Sequence, residues 1–218
     1  MNIEYLGHAS FLITTLAGTR IVTDPVDPAG YPGALNYGEF NESADVVTVS
    51  HEHKDHAGLR VVKGNPVLIT RPGRFAVKDV EFLGVATYHD EVEGGKRGRN
   101  TVFVISAEGI RIAHMGDLGH VLTADQAAEI GNVDIALIPV GGYFTIDAIG
   151  ARAVADQLDA DIVIPMHYKT EKCELPIAGV ESFVEGRSDV VRESGSSLEL
   201  AKETIPRGRR IVVLNHRL

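Results

Sequence analysis

The chain has 218 residues, 44% hydrophobic and 23% charged, so it carries enough apolar material to bury one sizeable core, as a soluble globular protein does. Lys and Arg number 21 against 30 Asp and Glu, and a net charge of -9 speaks against broad binding to nucleic acid, which draws on clustered cations. The single cysteine, Cys173, excludes an intrachain disulfide framework and fits a reducing, cytoplasmic setting.

The amino-terminal MNIEYLGHASFLITT has no basic segment followed by a continuous apolar one. No run approaches the roughly 20 apolar residues that span a bilayer, so a soluble, unprocessed protein without membrane association is expected. Residues 3 to 6, 10 to 14 and 20 to 23 read as a β-meander, punctuated by Gly7 and Ala17-Gly18 and closed by Asp24-Pro25. Residues 28 to 43, rich in Gly, Pro, Asn and Tyr, show no period and form a loop of a length that is often functional. Val46 to Val49 is an unbroken β-branched run, as in a strand buried on both faces. A short helix at 58 to 63 and a strand at 67 to 70 follow.

In the second half, 101 to 106 and 110 to 114 pair as a hairpin across Ala107-Glu108-Gly109. Thr123-Ala124-Asp125-Gln126 is a capping box that starts a helix ending near Gly131. A strand at 135 to 140, a helix at 147 to 159 and a strand at 162 to 165 continue the alternation. A last helix at 177 to 185 and strands near 197 to 201 and 211 to 214 complete the chain. No linker, repeat or low-complexity segment interrupts it. The expected architecture is α/β, a single domain over 1–218 built as a four-layer αββα sandwich of two mixed sheets flanked by helices.

Chemistry concentrates in S-H-E-H-K-D-H, residues 50 to 56, where three of the nine histidines and an aspartate directly follow a buried strand. Ligands in open α/β sheets gather beyond strand carboxyl ends, and imidazole and carboxylate suit zinc, manganese or iron. His51 and His53 leave the strand in extended chain, while Asp55 and His56 sit where the next helix begins. One loop therefore offers two ligand pairs in different directions, as two adjacent divalent ions require. It cannot complete two shells. His89, Asp117 and His167 each follow an apolar run and open onto a loop, which makes them the candidates for the remaining positions.

These elements resemble the metallo-β-lactamase superfamily. H-E-H-K-D-H matches its HxHxDH signature, and L-G-H-A-S (6 to 10), T-D-P (23 to 25), G-D-L (116 to 118), I-P-V-G-G-Y-F-T (138 to 145) and I-P-M-H-Y (164 to 168) follow in its order. They look like its small hydrolase branch, which includes enzymes resembling the ascorbate-6-phosphate lactonase. The resemblance runs from residue 3 to about 170. It implies that His51, His53 and His89 hold one metal, that Asp55, His56 and His167 hold the second, and that Asp117 bridges them or completes one shell. Asp55 and Asp117 are its catalytic carboxylates, and zinc is the first choice of metal ahead of manganese or iron. The implied reaction is hydrolysis of a small anionic ester, lactone or phosphoester by metal-activated water. Two departures narrow the branch: His89 sits in Y-H-D rather than G-H-T, and residues 171 to 218 are too few for a helical substrate domain.

Other residues keep two readings. His8 lines the pocket or bonds its own turn. Asp24 fixes a ligand histidine or starts an Asp-Pro turn. His114, His120 and Asp90 flank candidate ligands without being assigned as ligands. Lys169 and the basic knot Lys96-Arg97-Gly98-Arg99 steer an anion or are solvated, and Gly141 to Thr145 is an anion cradle or a tight turn. Cys173 is expected to be inert. A small-molecule substrate, no nucleic-acid partner and a homo-oligomeric assembly complete the expectation. A metal-binding sensor or scaffold and a nucleic-acid phosphodiesterase are the competing functions.

Overall fold

Alternation of inward and outward side chains divides the first 70 residues between two hydrophobic clusters, and that division places the layers. A computed structural model describes residues 1–218. Its strands, in chain order, are β1 (Asn2–Gly7), β2 (Ser10–Thr14), β3 (Arg20–Thr23), β4 (Val46–Thr48), β5 (Val67–Ile69), β6 (Gly73–Val77) and β7 (Val80–Tyr88). They continue as β8 (Arg99–Ala107), β9 (Ile110–His114), β10 (Ile135–Pro139), β11 (Ile162–Met166), β12 (Val190–Arg192), β13 (Ser197–Glu199) and β14 (Arg210–Val213). The helices are α1 (Ala124–Ile130), α2 (Ala148–Gln157) and α3 (Glu181–Val184).

Two mixed sheets result. The first has the order β13-β1-β2-β3-β4-β5, antiparallel through the meander and parallel from β3 to β5. The second has the order β12-β14-β11-β10-β9-β8-β7-β6, antiparallel from β6 to β9 and parallel beyond. Tyr5, Phe11, Ile13, Ile21 and Val46 belong to the main core of 48 buried residues, which includes Phe103, Ile105 and Ile112 of the second sheet. Their neighbours Leu6, Leu12, Val22 and Val47 point the other way, as a period of two requires.

That outer face of the first sheet is covered by Phe40 and Ala44, by a 3-10 turn at Leu59–Val61 and by Leu218. The outer layer there is loop and a single turn, whereas α1 packs on β7 and α2 on β10 across the second sheet. The capping box holds: the Thr123 hydroxyl accepts from the Gln126 N–H at 3.2 Å, and the Gln126 amide oxygen accepts from the Thr123 N–H at 3.0 Å. Asp147 caps α2 by accepting from Ile149 and Gly150.

Two sequence expectations change in extent and one hairpin is new. The 58 to 63 helix is only the 3-10 turn, and the 177 to 185 helix shrinks to the single turn of α3. The hairpin of β6 and β7 is absent from the sequence reading, because Glu81, Gly84 and Thr87 break its apolar run. Gly84 has a packing reason: a Cβ there would stand 2.8 Å from the Arg71 carbonyl and 3.1 Å from the Phe103 ring. The last residues close both sheets, β13 at the edge of the first and β14 and β12 at the edge of the second. No helix is long and apolar enough to cross a membrane.

The parallel strands β4, β10 and β11, entirely buried, end at one rim where their loops meet. Phe103, fully buried beneath it, measures how closely the interior is packed. Phe103→Ala is expected to lower unfolding free energy by about 3–5 kcal/mol in a denaturant titration. A loss below about 1 kcal/mol would show that the region between the sheets is not close-packed.

Candidate metal centre

The seven residues singled out as ligands arrive from four strand ends. His51, His53, Asp55 and His56 follow β4, His89 follows β7, Asp117 follows β9 and His167 follows β11. Asp117 stands at the centre, almost fully buried. Its Oδ2 lies 3.1 Å from His89 Nε2, 3.4 Å from His167 Nε2 and 3.8 Å from His51 Nε2, and its Oδ1 lies 3.2 Å from His56 Nε2. His51 Nε2 and His53 Nδ1 are 3.0 Å apart. Donor atoms of His51, His53 and His89 all lie within 4.8 Å of one another, as do those of His8, Asp55, His56 and His167. The structure thus brings the whole predicted set together and adds His8 to it.

Asp24 orients two of these rings. Its Oδ2 accepts from the His56 ring at Nδ1 (2.9 Å) and from the Ser50 hydroxyl (2.5 Å), while Oδ1 accepts from the Ser50 N–H (2.7 Å). With its proton given to Asp24, the Ser50 oxygen accepts from His51 Nδ1 at 2.9 Å. Both rings are thereby turned so that Nε2 faces Asp117, the arrangement in which an outer hydrogen bond fixes a ligand's tautomer. Asp24, His8 and His167 have positive φ angles of 40°, 55° and 50°, a conformation costly for non-glycine residues that recurs where function constrains the backbone. The His167 N–H donates to the His8 carbonyl at 2.7 Å, and the two rings lie 4.1 Å apart.

His8 Nε2 meets Asp55 Oδ2 at 3.1 Å, so this histidine acts on the site through Asp55. His114 instead braces the turn that carries Asp117: its ring bonds the Ala9 carbonyl at 2.7 Å through Nε2 and accepts from the Gly116 N–H through Nδ1. A side chain at Gly116 would collide with Asn100 Oδ1 and Ser50. Asn100, missed by the sequence reading, accepts from the Asp117 N–H at 3.0 Å and donates to Thr87 and to the Met115 carbonyl. Its only signal is an amide inside a buried β-strand, Arg99–Ala107.

Lys169 bonds the Leu175 carbonyl and pairs with Glu174 at 3.6 Å, and it does not line the cavity. His120 bonds the Tyr88 N–H and the Val121 carbonyl. Cys173 is buried, which pushes its thiol pKa up, in keeping with an inert residue. Gly141 carries no side chain because a Cβ would meet the His167 carbonyl. The cavity over the centre, about 220 Å³, is lined by His53, Asp55, His89, Asp117 and His167, and by Tyr31, Arg97, Phe144 and Leu175. Tyr31 comes from the 28 to 43 loop, whose Leu35 and Tyr37 are buried and anchor it.

The electrostatics suit a cation. Burial opposes charge on Asp55 and Asp117, yet the surrounding imidazoles hold both carboxyls well below the usual range. Burial likewise disfavours a proton on His56, but Asp117 and Asp55 raise its pKa well above 6.5. Asp55 Oδ1, Asp117 Oδ1 and His56 Nε2 are buried without a hydrogen-bond partner, although the last two are 3.2 Å apart. Buried polar atoms are rarely left so, and their gathering on three neighbouring ligand residues fits a bound divalent ion.

Two mixed sheets with histidines and aspartates gathered at their strand ends define a metal-dependent hydrolase of the metallo-β-lactamase type. The chain belongs to the β-lactamase superfamily, whose domain it matches over residues 2–167. It is 30% identical to a UPF0173 metal-dependent hydrolase of Pyrococcus furiosus, over 92% of this chain and all of that one. A relative of the same description from Methanospirillum hungatei is 28% identical over 93% of this chain and all of its own. A crystal structure from Thermotoga maritima, described as a Zn-dependent hydrolase of the metallo-β-lactamase superfamily, shares 42% identity and a TM-score of 0.82, covering 99% of both chains. An isothiocyanate hydrolase from Delia radicum gut bacteria shares the fold, with a TM-score of 0.66 at 15% identity over 92% of this chain and all of that one.

Burial lowers the pKa of His8 from 6.5 to about 4 and lowers that of His114 as well. A depressed histidine pKa means that protons bind the unfolded chain more readily. Its contribution to stability is complete above 6.5 and is lost as pH falls towards the folded value. His56, with its raised pKa, contributes below 6.5 and loses that contribution only as pH rises through its folded value. Metal-free protein is therefore expected to melt at progressively lower temperature between pH 6.5 and 4. A flat profile over that window in a thermal melt would mean that the buried imidazoles titrate as freely as exposed ones.

Proposed function

We propose that the protein hydrolyses a small anionic ester, lactone or phosphoester at a centre of two divalent ions, zinc the first choice. The observation that carries this reading is the grouping of donors around Asp117, with His51, His53 and His89 gathered in one set and Asp55, His56 and His167, together with His8, in another. All seven ligands are His or Asp, which offer imidazole nitrogen and carboxylate oxygen and suit zinc, and the Thermotoga relative's description supports the same choice. Ions held there would supply Lewis acidity and a water acidic enough to ionise near neutral pH.

The chain's own residues do the rest. Asp117 reaches both donor groups and holds them in register. Asp55 lines the cavity, stays ionised, and with Oδ1 free it orients the attacking water. His8 fixes Asp55 from behind, and Asp24 keeps His51 and His56 facing inward. Arg97 is the cation in the cavity lining and receives the negative charge of the substrate, while Tyr31, Phe144 and Leu175 form an apolar wall. A cavity of about 220 Å³ favours a small molecule over a polymer.

Protein purified without chelators is expected to carry about two divalent ions per chain by elemental analysis, with the content falling sharply in His56→Ala. Protein that takes up no metal on reconstitution would overturn the reading. Asp117→Asn, which keeps the shape and removes the charge, is expected to lower kcat/KM on a responsive ester by at least about 100-fold in protein that circular dichroism shows to be folded. Turnover within a few-fold of the parent would remove Asp117 from the mechanism.

A further inference from the structure

A second cavity, of about 640 Å³, opens beside the first and shares His53 and Arg97 with it. None of its lining residues is hydrophobic, and Arg71, Arg97 and Arg99 face it together with Ser50, Thr70 and Thr101. Glu52 is the one acid among the lining residues. The arginine ion pairs of the protein are made by Arg20, Arg60, Arg187, Arg192, Arg209 and Arg217, so no carboxylate neutralises these three. Gathering three unpaired guanidinium groups in a protein of net charge -9 is unfavourable by itself and becomes favourable with an anion between them.

Two of the arginines are also held in place. Arg97 donates to the Tyr143 carbonyl at 3.0 Å and lies over the Phe144 ring, and Arg71 lies over the Phe75 ring, each 5.6 Å from the ring centre. The loop that carries Arg97 is wound around the buried Asp90, whose carboxylate accepts from the N–H groups of Val92, Gly94, Lys96 and Arg97 at 2.7–2.9 Å. Little ordering of Arg97 and Arg71 remains to be done when a ligand arrives.

We propose that this groove binds a phosphate group carried by the substrate, away from the bond that is cleaved. This rests on the reading of the substrate as a small anionic ester, and it adds the class of anion and where it lies. Three guanidinium forks and the hydroxyls of Thr70 and Thr101 offer more donors than the two oxygens of a carboxylate use, and they suit the three terminal oxygens and double charge of a phosphate monoester. Arg97, common to both cavities, is the link between the phosphate and the reacting group.

The test is calorimetric titration of inorganic phosphate into full-length protein stripped of metal, so that binding at the metals does not contribute. Phosphate is expected to bind, acetate to bind at least about tenfold more weakly, and an Arg71→Gln/Arg99→Gln variant to lose at least about tenfold in phosphate affinity. Arg74→Gln, which alters an arginine lining a different cavity, is expected to leave the affinity unchanged. Circular dichroism spectra of the variants establish that they fold. No phosphate binding to the stripped protein, equal binding of acetate, or a folded double variant with parental affinity would each overturn the proposal. These outcomes do not depend on hydrolysis, so the phosphate groove and the hydrolase reading fail separately.

Discussion

A carboxylate buried as deeply as Asp117 is unfavourable unless positive charge or hydrogen-bond donors surround it, and four imidazole nitrogens within 3.8 Å do so here. Much of the rim exists to deliver those nitrogens. The loop after β4 supplies two, and the ends of β7 and β11 supply one each, so both sheets must stop at the same level. The backbone pays for this at His8, Asp24 and His167, which adopt left-handed conformations beside the centre. Gly116 and Gly141 lie beside Asp117 and His167 where any side chain would strike a residue of the site.

Behind the ligands stands a layer of hydrogen bonds that the chain closes among its own residues. Asp24 and Ser50 turn His51 and His56, Asn100 holds the Asp117 backbone, His114 holds the turn before it, and His8 holds Asp55. Asp24, Ser50 and His8 belong to the loops of the first sheet, and Asn100 and His114 to β8 and β9 of the second. The bonds from His114 to the Ala9 carbonyl and from the His167 N–H to the His8 carbonyl tie the two sheets beside the site. Removing one partner would leave a buried polar group unsatisfied as well as a ligand misdirected, which couples stability to the geometry of the centre.

The mouth of the site has a different construction. Its walls are contributed by loops, Tyr31 from the long connection after β3 and Arg97 from the turn wound around Asp90. Such loops tolerate change more readily than the strands beneath them, and they are where relatives sharing this fold can differ in what they accept. The basic knot at 96 to 99 is divided by the fold: Lys96 pairs with Glu91, whereas Arg97 and Arg99 line the polar groove.

The sequence by itself determined the β-meander, the buried strands β4, β10 and β11, the capped start of α1 and the ligand cluster at 51 to 56. Each is written locally, as a period of two, an unbroken apolar run, a four-residue capping pattern or a spacing within one loop. The terminal placement of His89, Asp117 and His167 was legible for the same reason, since each follows an apolar run. The tertiary structure decided what depends on distant partners. The β6–β7 hairpin is stabilised by pairing with β8 rather than by its own pattern; Asn100 reaches Asp117 because β8 pairs with β9, and Ser50 reaches Asp24 because β3 pairs with β4. Lys169 turned out to face Glu174 and Arg97 to face the cavity, although both are basic residues near a ligand in sequence. Backbone direction at a loop fixes where a long side chain points, and no local pattern encodes that direction.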